Sequence, residues 1–135
     1  MIDISALENA VSQLQQGLEL SENMPDNELM RDGVIQRFEY TYELTWKMLK
    51  RYLEDTEASR ESVDSMSFQE IIRTSSERGL VMHGWDVWAS YRKARGTTSH
   101  VYDAAKAQEV FEVIPQFLDE ARFAREVTSQ RQSNP

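Results

Sequence analysis

The segment spanning residues 87–102 contains side chains whose types and spacing suit the binding of a phosphate group. It bears cations but no carboxylate, and a histidine and a tyrosine lie near its end: Arg92, Lys93, Arg95, His100 and Tyr102. An arginine presents paired donors that match phosphoryl oxygens, and a histidine exchanges a proton near pH 7. Because Arg95, His100 and Tyr102 fall within eight residues, we expect them to form a phosphate site.

Each of these three residues also has a purely structural interpretation. Arg95 near the end of a helix would favour the helix dipole, and His100 would simply occupy a turn. Tyr102 would close one end of a helical bundle with its hydroxyl in water. The spacing alone leaves both interpretations open. The other histidine, His83, is expected in a loop or at a helix start rather than in a site.

Other kinds of site find little support in the composition. The chain has no cysteine, and its two histidines, His83 and His100, do not have the spacing of metal ligands on one helix. It lacks the H-E-x-x-H and D-x-D-x-D patterns of metal sites and a glycine-rich phosphate loop. We therefore expect neither a metal ion nor a bound cofactor.

Length and charge restrict the class of protein. The chain has 135 residues, which suits one domain. No apolar run reaches the ~18 residues of a membrane span, and the amino terminus lacks a basic signal region. Cysteine is also absent. We therefore expect a cytoplasmic protein without a membrane partner. The net charge of -8 opposes nucleic acid binding by the chain as a whole. An anionic partner would therefore bind at the carboxylate-free segment 87–102.

The first helix is expected to open at Ser5, which forms an S-x-x-E capping box with Glu8. Apolar residues then follow at helical spacing. They are Leu7, Val11, Leu14 and Leu18. Residues 21–26, which include Pro25, end this helix.

Residues 27–55 fit two patterns. Some of their apolar residues alternate with polar ones, as in an exposed strand, but a longer set keeps helical spacing without a turn signal, which favours a helix. The residues Tyr40, Leu44 and Met48 then lie on the opposite side of that helix from its main apolar face. A helix that is apolar on two faces must bury both. We expect a homodimer through the second face, unless another helix of the same chain covers it.

The middle of the chain predicts a loop followed by a short helix. Residues 54–66 are polar and charged, as in a loop. Ser67 and Glu70 form a second capping box that opens a helix, and Gly79 is well placed to end it.

Two more helices are expected after this point. One follows Gly84, and residues 96–99 then loosen or bend the chain. The last spans about 102–125, with a kink caused by Pro115, and the residues after Val127 are expected to fray. The fold prediction is an all-α, antiparallel, up-and-down bundle of four or five helices. It forms one domain over residues 1–127, followed by a frayed tail at 128–135.

Two stretches of the sequence resemble a known family. Residues 95–102, Arg-Gly-Thr-Thr-Ser-His-Val-Tyr, fit the R-x4-H-x-Y pattern of HEPN-domain toxins of the HepT type, which are also described as nucleotidyltransferase substrate-binding proteins. Residues 35–47 resemble the second-helix motif of that family. The resemblance extends from about residue 3 to 125. Individual residues that resemble those of the family are Arg37, Phe38 and Glu39 within residues 35–47, together with His83, Gly84 and Trp88.

The resemblance implies a function as well as a fold. HEPN toxins of this kind are dimeric, metal-independent ribonucleases, in which Arg95 and His100 would be catalytic, with Arg92 and Lys93 as auxiliary RNA contacts. Their partner is a minimal nucleotidyltransferase that acts as antitoxin, as in type VII-like modules. That partner uses ATP to transfer AMP to the motif tyrosine, here Tyr102.

An alternative view of the same family makes this chain a non-catalytic subunit that presents substrate to a nucleotidyltransferase. Gly96 also departs from the family pattern, since many members place a polar residue, often asparagine, directly after the arginine. Glycine lacks that side-chain hydrogen bond and adds backbone freedom.

Overall fold

A computed structural model describes residues 2–134 of the chain. These residues form helices joined by short connections, with no strand among them. The all-α prediction is confirmed, although six helices are present rather than four or five. The elements are α1 (Ser5–Glu22), α2 (Glu28–Thr56), α3 (Arg60–Asp64), α4 (Phe68–Glu77), α5 (Trp85–Thr97), a 3-10 turn (Thr98–His100) and α6 (Ala104–Ser133).

Helix α1 begins as expected at Ser5, but not through the predicted capping box. Ile4 is the N-cap residue and provides no side-chain acceptor. The Asp3 carboxylate instead accepts a hydrogen bond from the Ser5 N–H at 2.9 Å, and hydrogen bonds from Ser5 lower the pKa of Asp3. The box fails because Ser5 is already inside the first helical turn. The predicted apolar stripe is confirmed, since Leu7, Val11 and Leu14 are buried.

Helix α2 confirms the helical interpretation of residues 27–55. The Asn27 side chain caps its start by accepting the Met30 N–H at 2.9 Å. On the second apolar face, Met48 is buried within the chain itself, and the Tyr40 hydroxyl donates to the Gln13 side chain of α1. Leu44 is half-buried. The chain therefore covers much of this face by itself, and the homodimer stays a prediction.

The predicted loop at 54–66 is wrong in its middle, because it contains the short helix α3. The Ser59 hydroxyl caps α3 by accepting the Ser62 N–H at 3.1 Å. Val63 is fully buried, so one apolar side chain anchors an otherwise polar segment to the core. The capping box that opens α4 is confirmed in both directions, between Ser67 and Glu70.

Gly79 ends the α4 region in the left-handed backbone conformation, with a φ of +73°. Glycine adopts this conformation without the steric cost that a side chain would add. The prediction for Gly79 is therefore confirmed.

Helix α6 extends much further than predicted, through Ser133, and Pro115 lies inside it. The predicted fraying after Val127 is wrong for the residues up to Ser133, and Pro135 lies outside the described residues. Thr128 is buried, and the Gln132 side chain accepts the Ile2 N–H at 2.7 Å. The amino-terminal segment thus packs on the end of α6 and holds it in helical form.

An aromatic cluster joins α2, α5 and α6 at the centre of the bundle. Phe38 meets Phe117 edge-on with ring centroids 5.1 Å apart. Tyr91 lies 5.2 Å from both Phe117 and Trp88. These separations fall in the favourable range for aromatic pairs. The cluster fixes α5, and with it the segment 87–102, against the two longest helices. None of the helices described has the length and apolar character needed to cross a membrane.

Candidate functional site

The end of α5 presents the residues of the R-x4-H-x-Y pattern. Ala94 is buried against the core. The next residue, Arg95, points away from that buried face, and its side chain is about one-third exposed. The sequence predicts that residues 96–99 loosen or bend the chain. The loosening is wrong, because α5 continues through Gly96 to Thr97 and is followed by the 3-10 turn. The buried Thr98 hydroxyl stabilises this end by donating to the Arg95 carbonyl at 2.7 Å and accepting from Arg95 Nη1 at 3.0 Å.

The 3-10 turn brings His100 and Tyr102 together at the surface. His100 Nδ1 lies 3.4 Å from the Tyr102 hydroxyl, and the two rings meet edge-on with centroids 6.0 Å apart. His100 is exposed, and Tyr102 is 85% exposed. Both side chains are therefore accessible to a large substrate or to a second protein.

Two carboxylates of α2 hold Arg95. Its Nε lies 3.3 Å from Glu43 Oε1, and its Nη1 lies 3.6 Å from Glu39 Oε2. Within residues 2–134 its third nitrogen, Nη2, makes no hydrogen bond. The ion pairs orient the guanidinium and also offset part of its charge.

Sequence reasoning missed these two partners of Arg95. Glu39 and Glu43 lie in the segment 35–47 that resembles the second-helix motif, but no contact was assigned to them. Their spacing of four residues places both carboxylates on one face of α2. That spacing was the available signal.

The structure does not join Arg95 and His100 by a hydrogen bond. Arg95 lines two surface grooves, and neither His100 nor Tyr102 lines either of them. Within one chain, the Arg95 region and the His100–Tyr102 pair are neighbouring parts of one helix end rather than one closed pocket.

The two residues expected to assist Arg95 lie in different grooves. The Arg92 guanidinium lies over the Phe68 ring, 5.3 Å from its centroid, in a groove of about 450 Å³ that also contains Arg95. Lys93 lines a separate groove of about 320 Å³ between α5 and α6. Of the two, Arg92 is therefore the one that shares a groove with Arg95.

A buried carboxyl group on α6, that of Glu120, forms a hydrogen-bonded network that sequence reasoning also missed. It accepts the Met82 N–H at 2.6 Å and lies 3.0 Å from His83 Nδ1 and 3.4 Å from the Tyr91 hydroxyl. Burial, and then the nearby charge of Glu120, raise the pKa of Tyr91. His83 thus lies before α5, as expected, and fastens that loop to α6.

The burial of Glu120 could have been predicted from its position in the helical repeat of α6. It lies three residues after Phe117 and four before Ala124, both of which are buried. It therefore belongs to the inward face of α6, where a carboxyl group requires partners. Among residues 2–134, no three acidic or histidine side chains cluster in a way that could hold a metal ion.

Comparison with known proteins places the chain in a family. The family model described as "Nucleotidyltransferase substrate binding protein like" matches residues 2–130. A Haemophilus influenzae protein named "Probable ribonuclease HepT" is 38% identical over 99 residues, which cover 73% of this chain and 67% of that protein.

Two solved structures have a similar fold. One is a Haemophilus influenzae protein described as having the fold of a substrate binding domain of a nucleotidyltransferase. It is 30% identical, with a TM-score of 0.88 over 94% of this chain and 99% of that one. A crystal structure from Thermus thermophilus is 28% identical, with a TM-score of 0.73 over 90% of this chain and 98% of that one. The chain therefore belongs to the nucleotidyltransferase substrate-binding protein-like family.

Proposed function

We propose that this chain is a metal-independent endoribonuclease of the HepT type, the toxin of a toxin–antitoxin module. The observation that carries the proposal is the exposed helix end where Arg95, His100 and Tyr102 lie in the carboxylate-free segment 87–102. The similarity to the probable ribonuclease supports it. Single-stranded RNA is the expected substrate, because unpaired nucleotides can enter a surface cleft.

The proposed reaction is a transesterification within RNA. His100 accepts the proton of a ribose 2′-hydroxyl, and the 2′ oxygen attacks the adjacent phosphorus. The bond to the 5′ oxygen of the next nucleotide breaks, and that oxygen leaves with a proton. The products are a 2′,3′-cyclic phosphate and a 5′-hydroxyl. Arg95 stabilises the charge that develops on the phosphorane, a contribution of ~3 kcal/mol for one well-placed donor.

The geometry of Arg95 supports this role. Glu43 engages Nε and Glu39 engages Nη1, so Nη2 can donate to a phosphoryl oxygen from a fixed position. A homodimer would bring two such arginine–histidine pairs to one cleft. The general base and general acid could then come from different subunits.

Tyr102 is the proposed site of regulation. A minimal nucleotidyltransferase partner would transfer AMP from ATP to its hydroxyl, which forms a phosphodiester and releases pyrophosphate. The 85% exposure of Tyr102 makes the hydroxyl accessible to such a partner. Because His100 lies 3.4 Å from that hydroxyl, the added AMP would block RNA from His100 by bulk and by charge repulsion.

Expression without the partner tests the proposal. The parent protein should arrest growth, whereas His100→Ala should not, and co-expression of the partner should protect only cells whose toxin retains Tyr102. Tyr102→Phe serves as the matched control, since it keeps the ring and loses the hydroxyl. Growth arrest by His100→Ala as strong as that by the parent would refute catalysis by His100.

A second function, a non-catalytic subunit that presents substrate to a nucleotidyltransferase, is favoured by one observation. The two α2 carboxylates offset the charge of Arg95. This weakens the ability of Arg95 to stabilise negative charge on a phosphorane. This function predicts a stable complex with the partner and transfer of the nucleotidyl group to another acceptor. Intact mass after co-expression with the partner separates the two functions, because the toxin function alone predicts adenylyl groups on this chain that are lost in Tyr102→Phe.

A further inference from the structure

The groove that Arg92 and Arg95 share has walls suited to a nucleobase. It lies between α2, α4 and α5, encloses about 450 Å³ and is lined by Trp46 and Phe68 among other residues. That volume lies within the usual range of small-ligand pockets, roughly 300–1,000 Å³. We call it the aromatic groove, defined by Trp46, Lys50, Phe68, Arg92, Arg95 and Glu43.

The two rings are held in fixed orientations. Trp46 and Phe68 meet at 90° with centroids 5.7 Å apart, and both are only half-buried. The Trp46 indole N–H donates to Glu43 Oε2 at 3.0 Å. Arg92 covers the Phe68 ring. A ligand that stacks on Trp46 would therefore meet a ring that is already in place, at little cost in side-chain entropy.

The charge of the groove sets it apart from its neighbours. Three cations, Lys50, Arg92 and Arg95, line the groove with one carboxylate, Glu43, while Glu39 pairs with Arg95 from outside this lining. In each of three other grooves compared within residues 2–134, a single arginine or lysine faces two carboxylates. On a chain with a net charge of -8, the aromatic groove is thus the one among these four that favours an anion.

We propose that the aromatic groove binds one nucleotide of the single-stranded RNA substrate. The base stacks on Trp46, and the phosphate contacts Arg92, Arg95 and Lys50. Base stacking on an aromatic side chain tolerates every base, because each base has a π face. The inference rests on the proposed ribonuclease function, which it deepens, since Arg95 would link the bound nucleotide to the phosphate that is cleaved.

Gly96 is consistent with this placement at the rim of the groove. A Cβ atom added at Gly96 would meet nothing within 4 Å, so the glycine leaves open space beside Arg95.

Binding of a fluorescent, eight-nucleotide single-stranded RNA to the His100→Ala protein tests the groove without cleavage of the probe. Lys50→Glu should weaken binding much more than Lys47→Glu. Lys47→Glu is the matched control, because it makes the same change of charge on the same helix at a residue that does not line the groove. Trp46→Leu should weaken binding about tenfold, as expected for the loss of one base stack.

Titration with 5′-AMP provides a readout that does not depend on catalysis. The indole N–H resonance of Trp46, assigned through Trp46→Phe, should shift on addition of 5′-AMP. The resonance of Trp85, which lines another groove but packs edge-on against Phe68 at 6.0 Å, should shift less than that of Trp46. The shift should disappear in Lys50→Glu and persist in Lys47→Glu.

The outcomes separate the groove from the ribonuclease function. If the parent cleaves RNA but Lys50→Glu binds RNA as tightly as Lys47→Glu and Trp46 does not respond, the groove proposal is overturned and the function stands. If the parent never cleaves RNA but the Trp46 resonance shifts and Lys50→Glu binds more weakly, the groove binds nucleotides and the proposed function fails.

Discussion

Replacement of Glu120 by alanine is the most informative change to the bundle, because three groups depend on that one carboxyl group. The Met82 N–H, the His83 ring and the Tyr91 hydroxyl all contact it. In Glu120→Ala the His83 side chain, 36% exposed, can turn to water. The Met82 N–H and the buried Tyr91 hydroxyl lose their acceptor.

The magnitude follows from the two orphaned donors. A buried donor without a partner costs about 1–3 kcal/mol. The contact from Tyr91, at 3.4 Å, is long, and the Met82 N–H, although its contact is 2.6 Å, belongs to a half-exposed residue, so both contribute at the low end of that range. We expect Glu120→Ala to lower the free energy of unfolding by about 2–3 kcal/mol. That is a large share of the roughly 5–15 kcal/mol typical of a domain.

Urea unfolding followed by circular dichroism measures this loss. Glu109→Ala is the matched control, since Glu109 is an exposed glutamate on the same helix, and it should change the free energy of unfolding by no more than about 0.5 kcal/mol. Glu120→Gln keeps one oxygen acceptor and should fall between the two. The dependence on urea should keep its slope. A loss in Glu120→Ala no larger than that in Glu109→Ala would refute the role of the network.

Three further results are expected. Gly33→Ala should raise the free energy of unfolding by up to about 1 kcal/mol, because Gly33 lies inside α2 and an added Cβ meets nothing within 4 Å. Gly79→Ala should lower the free energy of unfolding, because Gly79 has a positive φ. Urea unfolding measures both changes. Burial raises the pKa values of Tyr42 and Tyr91 above the ordinary value. The two buried tyrosines therefore contribute their full stabilisation below about pH 10, and this stabilisation is lost at higher pH because the tyrosines of the unfolded chain ionise. Tyrosinate absorbance reports the ionisation, and circular dichroism recorded on the same samples reports the loss of helix. Leu44→Glu should dissociate the proposed homodimer in sedimentation experiments.

Each of these expectations has a contrary result. Equal effects of alanine at Gly33 and Gly79 would contradict the backbone argument. Ionisation of all five tyrosines in the folded protein, before any loss of helix, would contradict the burial argument. An unchanged oligomer in Leu44→Glu would remove the second face of α2 from the dimer interface.

The sequence predicted the features that depend on local pattern. The helical spacing in residues 27–55, the capping box of Ser67 and the glycine at position 79 each act within a few residues, so they can be read along the chain. The helical end at 128–133 could not, because it depends on contact with Ile2, 130 residues away from Gln132. Val63, which anchors α3, gives a single apolar signal that is too short for periodicity.

The candidate site divides in the same way. The residue types of Arg95, His100 and Tyr102 and their spacing were visible in sequence. The carboxylates that hold Arg95 come from Glu39 and Glu43, more than fifty residues earlier in the chain, and only the packing of α2 against the end of α5 brings them there. Arg92 and Lys93, although adjacent in sequence, line different grooves because neighbouring residues on a helix point in different directions.

Cleavage of a single-stranded RNA by the purified parent protein, in the presence of a metal chelator, tests the central claim most directly. We expect fragments with 2′,3′-cyclic phosphate ends, no cleavage of the DNA of the same sequence, and a loss of rate of at least about 100-fold in His100→Ala. Cleavage of the DNA, or a rate in His100→Ala equal to that of the parent, would contradict it.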